Sequence, residues 1–106
     1  MEYAQIEQKI QKVVDQIVKE FQPEKIILFG SWAWGTPGAN SDVDLFVVKD
    51  TKNTRMLARE IDGRIFPRPF PLDLIVYRPE QIQKNQLQGD FFITAILDKG
   101  KVLYAQ

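Results

Sequence analysis

Two aspartates, Asp42 and Asp44, stand at the head of an otherwise apolar run, Val43 to Val48. The run is short and rich in β-branched and aromatic residues, so it reads as a strand. Side chains alternate across a strand. Asp42 and Asp44 therefore share one face, and Val43, Leu45 and Val47 share the other. Carboxylates at that spacing repel each other, and a divalent cation is the usual reason for them to coexist. A second apolar run, Lys25-Ile26-Ile27-Leu28-Phe29, comes before them and is broken by Gly30-Ser31. Glycine there permits a tight turn or the close approach of a ligand to backbone. A short helix starting after Ser31 would aim its free N–H groups and the positive end of its dipole out of the turn, a ready anion site. The chain must fold so that paired carboxylates lie beside an anion-binding turn.

Together these elements, Gly30-Ser31-x-Ala33-x-Gly35 and Ser41-Asp42-x-Asp44-Leu45, resemble the signature of the DNA polymerase β-type nucleotidyltransferase superfamily. With the small size of the chain they are similar to its minimal (MNT) nucleotidyltransferases, and the resemblance runs from Lys25 to about Tyr104. It implies transfer of a nucleoside monophosphate from a nucleoside triphosphate, with ATP the expected donor, to a hydroxyl. It implies Asp42 and Asp44 as ligands of two magnesium or manganese ions. Asp73, on a later strand, matches in kind and order the third carboxylate of the superfamily, which binds the nucleophile-side metal and accepts a proton. Gly30 and Ser31 would hold the β- and γ-phosphates through backbone N–H and the Ser31 hydroxyl. MNT proteins are often partners of HEPN-domain proteins in prokaryotic toxin–antitoxin pairs. The resemblance thus implies an antitoxin whose acceptor is a tyrosine of a HEPN-type toxin. Many members carry arginine where this chain has Trp34. That departure points to weaker catalysis, with Lys49, Arg55 or Arg59 as substitute phosphate partners.

Composition narrows the chemistry independently. The chain of 106 residues has no cysteine and no histidine. Thiolate and imidazole catalysis are excluded, and any metal must be held by oxygen, which favours magnesium or manganese. Lysine plus arginine and aspartate plus glutamate are 14 each. No net field draws a polyanion, so nucleic acid is not expected as a direct substrate. The N-terminus is polar and no apolar run is long enough to span a membrane, so the expected location is the cytoplasm. One domain, residues 1–106, is the expectation for this length, with no room for a separate acceptor-binding domain. A partner must then supply the acceptor, as a homo- or hetero-oligomer.

Along the chain, Ile6, Ile10, Val13, Val14, Ile17, Val18 and Phe21 form one stripe of a helix from about Ala4 to Phe21, ended by Pro23. Trp32 to Trp34 form a short helix, and Thr36 to Asn40 a loop that lies over the nucleotide. Thr54 caps a helix to about Phe66, with Leu57, Ile61 and Ile65 on one face and Gly63 as a weak point. Pro67-Arg68-Pro69-Phe70-Pro71 is a stiff lead-in to a strand, Leu72 to Tyr77. A polar helix over Gln81 to Gln88, a helix capped by Asp90 and stopped by Gly100, and a last strand over Lys101 to Tyr104 complete the reading. The fold class is α+β with α/β-like alternation: a small mixed sheet of about four strands with helices mainly on one side.

Each candidate has a plainer rival. Ser31 also suits a helix cap. Trp32 and Trp34 suit a core or an interface better than a base-stacking platform. Asp73 lies in an apolar strand, where a buried charge needs a partner: a metal, an arginine such as Arg59 or Arg64, or exposure at a sheet edge. For the whole chain the rival to an enzyme is a module that neutralises its partner by contact, or a sensor that binds nucleotide without transfer.

Overall fold

A computed structural model describes residues 3–38 and 41–106. Among these residues nine elements follow one another: α1 (Tyr3–Phe21), β1 (Lys25–Phe29), α2 (Ser31–Trp34), β2 (Val43–Val48), α3 (Thr54–Arg64), β3 (Leu72–Tyr77), α4 (Pro79–Leu87), α5 (Phe91–Lys99) and β4 (Lys101–Ala105). The four strands form one sheet in the order β3-β2-β1-β4. β1 pairs antiparallel with both β2 and β4, and β2 pairs parallel with β3. The parallel pair exists because α3 carries the chain back across one face before β3 begins. This is the mixed α+β architecture expected from the alternation.

Strand alternation divides the sheet into two apolar surfaces. Ile26, Leu28, Val43, Leu45, Val47 and Val76 pack against the α1 stripe and against Leu57 and Ile61 of α3. The long helices share this face. Ile27, Phe29, Phe46 and Val48 meet Ile93 and Ile96 of α5, with Ile82 and Leu97 beside them. The short helices α4 and α5 thus cover part of the opposite face. That face also takes the even-numbered residues of β2 and the odd-numbered residues of β3, so it receives the aspartates.

Local signals explain most boundaries. Asp90 caps α5, its carboxylate accepting from Phe92 N at 2.9 Å and Ile93 N at 3.2 Å. At α3 the cap is Asn53, whose side chain accepts from Met56 N at 3.0 Å, and the expected cap Thr54 is instead the first helical residue. Both residue types cap well, so composition alone does not separate them. α3 passes through Gly63 and ends at Arg64, and Ile65 remains buried just beyond it.

Candidate active site

The turn after β1 is closed by α2. Ala33 N and Trp34 N donate to Gly30 O at 2.9 and 3.0 Å. Ser31 and Trp32 precede these bonds, so their N–H groups have no intrahelical acceptor. Gly30 has φ +75°, a conformation that side chains rarely adopt. A β-carbon built there would also run into the Asp44 carboxylate. The glycine is therefore required twice, by its backbone angle and by the aspartate packed against it. The turn is tied to the strand it serves: Trp32 Nε1 donates to Ser41 O at 3.4 Å, and Ser41 Oγ accepts from Gly38 N at 2.7 Å. Tyr3 at the start of α1 donates its hydroxyl to Pro37 O at 3.1 Å. The last two residues of the loop expected to lie over a nucleotide, Ala39 and Asn40, are outside the described residues.

Register brings two of the three carboxylates together, Asp44 and Asp73. Asp44 is opposite Phe29 in the antiparallel pair and opposite Asp73 in the parallel one. Adjacent strands are about 4.8 Å apart, so Asp44 and Asp73 are neighbours on one face. Asp42 lies just before β2, is exposed, and is near enough for its charge to act on Asp44. Burial first, then the charges of Asp73 and Asp42, push the Asp44 carboxyl up to about 6 from its ordinary 3.8. The ion pairs found among the described residues join Arg64 to Glu20, Arg68 to Asp62 and Arg78 to Glu80. None of them engages these three aspartates.

This donor set suits a hard divalent cation in chemistry: all oxygen, high in negative charge and uncompensated by those ion pairs. In geometry it is open. Among the described residues no three acidic side chains converge on one metal-sized position. Of the three surroundings open to Asp73 in the sequence, the structure has exposure at a sheet edge. β3 is an edge strand and Asp73 is exposed. Its place beside Asp44 follows from register and not from burial.

A family model for polymerase beta nucleotidyltransferases matches residues 8–106. The chain belongs to that nucleotidyltransferase family. Among solved structures it is similar to a candidate nucleotidyltransferase from Sulfolobus solfataricus, with a TM-score of 0.68, 16% identity, and coverage of 98% of this chain and 84% of the other. It is also similar to a toxin–antitoxin solved with AMP-PNP, with a TM-score of 0.61 and 20% identity over 91% of this chain and 73% of that one. A mutant of the toxin–antitoxin MntA–HpeT matches over the same shares, with a TM-score of 0.60 and 17% identity. No curated protein matches by sequence. At these identities the structural matches establish the fold.

Within this nucleotidyltransferase the cations proposed to replace the family arginine lie elsewhere. Lys49 follows the far end of β2, and its Nζ donates to Gln22 O at 3.2 Å. Arg55 and Arg59 line a groove with Leu74 to Tyr77, toward the end of β3 away from Asp73. Arg64, weighed in the sequence as an ion-pair partner for Asp73, is instead paired with Glu20 at 2.9 Å. The β2–α3–β3 crossover causes this, because α3 starts at the far end of β2. Trp32 packs into the larger core and meets Tyr3 edge to face at 5.6 Å, which is a structural role. Trp34 is different. It rests on Phe29 at 6.4 Å, Phe92 meets the same ring at 5.8 Å, and Trp34 is 44% exposed. An aromatic wall beside Asp44 was not visible in sequence, because Phe92 joins it only through the packing of α5.

Proposed function

We propose that this chain transfers a nucleoside monophosphate from a nucleoside triphosphate, ATP in the first place, to a hydroxyl of a partner protein. The partner we infer is a HEPN-type toxin, the acceptor one of its tyrosines, and the chain its antitoxin. The observation that carries the reading is the packing of the Gly30 turn directly on Asp44, with Asp73 in register on the next strand. Membership of the family and the fold shared with toxin–antitoxin structures, one of them holding AMP-PNP, support it.

The residues divide the work. The N–H groups of the turn and the Ser31 hydroxyl bind the triphosphate oxygens and orient the chain of phosphates. Asp42, Asp44 and Asp73 are the groups that would hold magnesium or manganese, which when bound neutralises charge on the transferring phosphoryl group and on the leaving pyrophosphate. Asp73, exposed at the edge, is open to an incoming hydroxyl and takes its proton. The remaining requirement is alignment, and for that the acceptor must be held by its own protein.

A mixture of the chain, ATP, magnesium chloride and a HEPN-type toxin tests this. The expected result is pyrophosphate release matched by one nucleotidyl group on a toxin tyrosine, both lost in Asp73→Asn. Pyrophosphate release unaffected by that change would refute the assignment. A second reading, neutralisation by contact alone, draws on the open geometry of the carboxylates and the exposed aromatic wall. In that case toxin activity is suppressed equally by the parent chain and by Asp44→Asn, without nucleotide.

A further inference from the structure

The outer edge of β3 is an unpaired strand edge set beside two arginines. Val43 N donates to Pro71 O at 2.8 Å and Lys49 N donates to Tyr77 O at 3.1 Å. The odd-numbered residues of β3 therefore turn their backbone toward β2. By alternation Leu72, Leu74 and Val76 turn theirs outward, where among the described residues no strand of the sheet lies. Edge strands are usually blunted by a charge, a bulge or shortness. The opposite edge, β4, shows this: it begins with Lys101, and its register with β1 shifts between Ile26 and Ile27. β3 keeps an unbroken register over six residues. Its one charge, Asp73, stands near the active-site end, so Leu74 to Tyr77 offer an uncharged edge.

A groove of about 500 Å³ runs along this edge, with Arg55, Arg59 and Ala58 of α3 on one side and Gln81 of α4 on the other. Arg55 and Arg59 are exposed, and neither takes part in an ion pair found among the described residues. Neither position helps the helix. Arg55 lies in the first turn of α3, against the positive end of the dipole, and Arg59 is one turn on, a like charge at i, i+4. Two cations placed where they oppose each other and the helix suit an anionic partner.

We propose that the free edge of β3 takes up an extended acidic segment of a partner protein as a fifth strand. Main-chain bonds would form to the outward groups of Leu74 and Val76. An added strand alternates as the sheet does. Its acidic side chains would fall on the α3 face, against Arg55 and Arg59. Its apolar ones would fall on the face of Ile75 and Tyr77. A second copy of this chain fits less well, because pairing β3 with itself would bring four arginines together. Docking needs neither metal nor nucleotide. Naming the bound segment as part of the acceptor, delivered two or three residues from Asp73, rests on the proposed function.

The test uses the whole chain, isotope-labelled, with a fluorescent acetylated peptide of alternating glutamate and valine, in buffer without metal or nucleotide. Success or failure here is thus read apart from any transfer. We expect saturable binding by anisotropy and at least tenfold slower amide exchange at Leu74 and Val76, with Ile75, already bonded to β2, unchanged. The double variant Arg55→Glu/Arg59→Glu should weaken binding at least tenfold, and Arg55→Gln/Arg59→Gln by less. An alternating lysine–valine peptide should not bind. Binding without protection at Leu74 and Val76, equal binding of the lysine peptide, or no binding overturns the proposal. So does protection of the same amides in the chain alone as its concentration rises, which would assign the edge to a second copy.

Discussion

The two faces of the sheet are built for opposite ends. On the face under α1 and α3, Val43, Leu45, Val47, Ile26 and Ile61 are fully buried, and every strand residue pointing that way from β2 is apolar. On the other face the same strands alternate into Asp44 and Asp73, and the short helices α4 and α5 cover only the part occupied by Phe46, Val48, Ile27 and Phe29. One face supplies the hydrophobic stabilisation that lets the other keep adjacent like charges near a glycine turn. The difference arises inside single strands. β2 gives its odd residues to the larger core and its first even residue, Asp44, to the open face beside Asp73, so a slip of one residue would exchange the two faces.

If the faces are divided in this way, the largest change on the open face should appear in transfer and not in folding. Asp44→Asn keeps the volume and removes the charge. With toxin and nucleotide present, transfer should fall by about a thousandfold or more, roughly 4 kcal/mol in the barrier. Its melting temperature, by contrast, should not fall. A variant that kept transfer within a few-fold would place the chemistry elsewhere.

The closed face should behave in the reverse way. Ile17, at 1% exposure, is seated in the larger core by α1. Ile17→Ala should lower stability by about 2–5 kcal/mol through lost burial and the cavity left behind. On the open face Phe92, at 49% exposure, closes the aromatic wall over Phe29. Phe92→Ala should cost only about 1 kcal/mol, as expected for a half-exposed side chain. Chemical denaturation of both variants checks the contrast. Similar losses would mean that α5 anchors the fold as firmly as α1 does.

Gly30 stands where the two roles meet, and it should give an intermediate effect. Gly30→Ala forces a β-carbon into a positive φ and toward the Asp44 carboxylate. A loss of about 1–3 kcal/mol is expected. Placing the same change on Asp44→Ala should recover the steric part and leave the backbone part, and the double-mutant cycle separates the two. Full additivity of the two changes would show that Gly30 is required by its backbone angle alone.

Much of this division is written in the sequence, and the part that is not has a physical reason. The spacing of Ile6, Ile10, Val13, Val14 and Ile17 fixes one helical stripe, and the alternation after Asp42 fixes which side of β2 is polar. Gly30-Ser31 marks the turn because few other residues could break that strand so sharply. The position of Asp73 is another matter. Leu72-Asp73-Leu74-Ile75-Val76-Tyr77 looks the same in sequence whether it is the centre of a sheet or its rim, since an edge strand with one face under a helix is nearly as apolar as a central one. Strand order is a tertiary property, and it decides for exposure at the edge among the surroundings that the sequence leaves open to Asp73. The arginines of α3 failed as phosphate partners for a related reason. Their distance from Gly30 depends on the direction of the crossover, which no local pattern records. The cap of α3 moved by one residue because Asn53 and Thr54 are both good caps.

The finest difference between the faces is electrostatic and should appear as a pH slope. In the folded chain the Asp44 carboxyl titrates at about 6, raised first by burial and then by Asp73 and Asp42. In the unfolded chain it returns to about 3.9. Between those values the native state holds a proton that the unfolded state has lost, so stability falls as pH rises through this window and is level above it. The sign is opposite to that of a carboxylate held by a cation, whose contribution is lost in acid. Because Asp44 is only partly buried, solvent screening reduces the cost to the order of 1 kcal/mol, roughly 4–8 °C in the melting temperature of a domain of this size. The quantity to measure is the difference between the parent chain and Asp44→Asn from pH 4 to pH 7, since other groups cancel. The variant should gain on the parent steadily across that range and melt higher at neutral pH. Asp73→Asn should remove part of the slope and Asp42→Asn a smaller part, in the order of their contributions. Magnesium should stabilise the parent more at pH 7 than at pH 5, because the cation favours the ionised form, and should do little for Asp44→Asn. Parallel melting curves for parent and variant throughout would mean that the open face carries no electrostatic strain and that Asp44 is as well accommodated as any residue of the closed one.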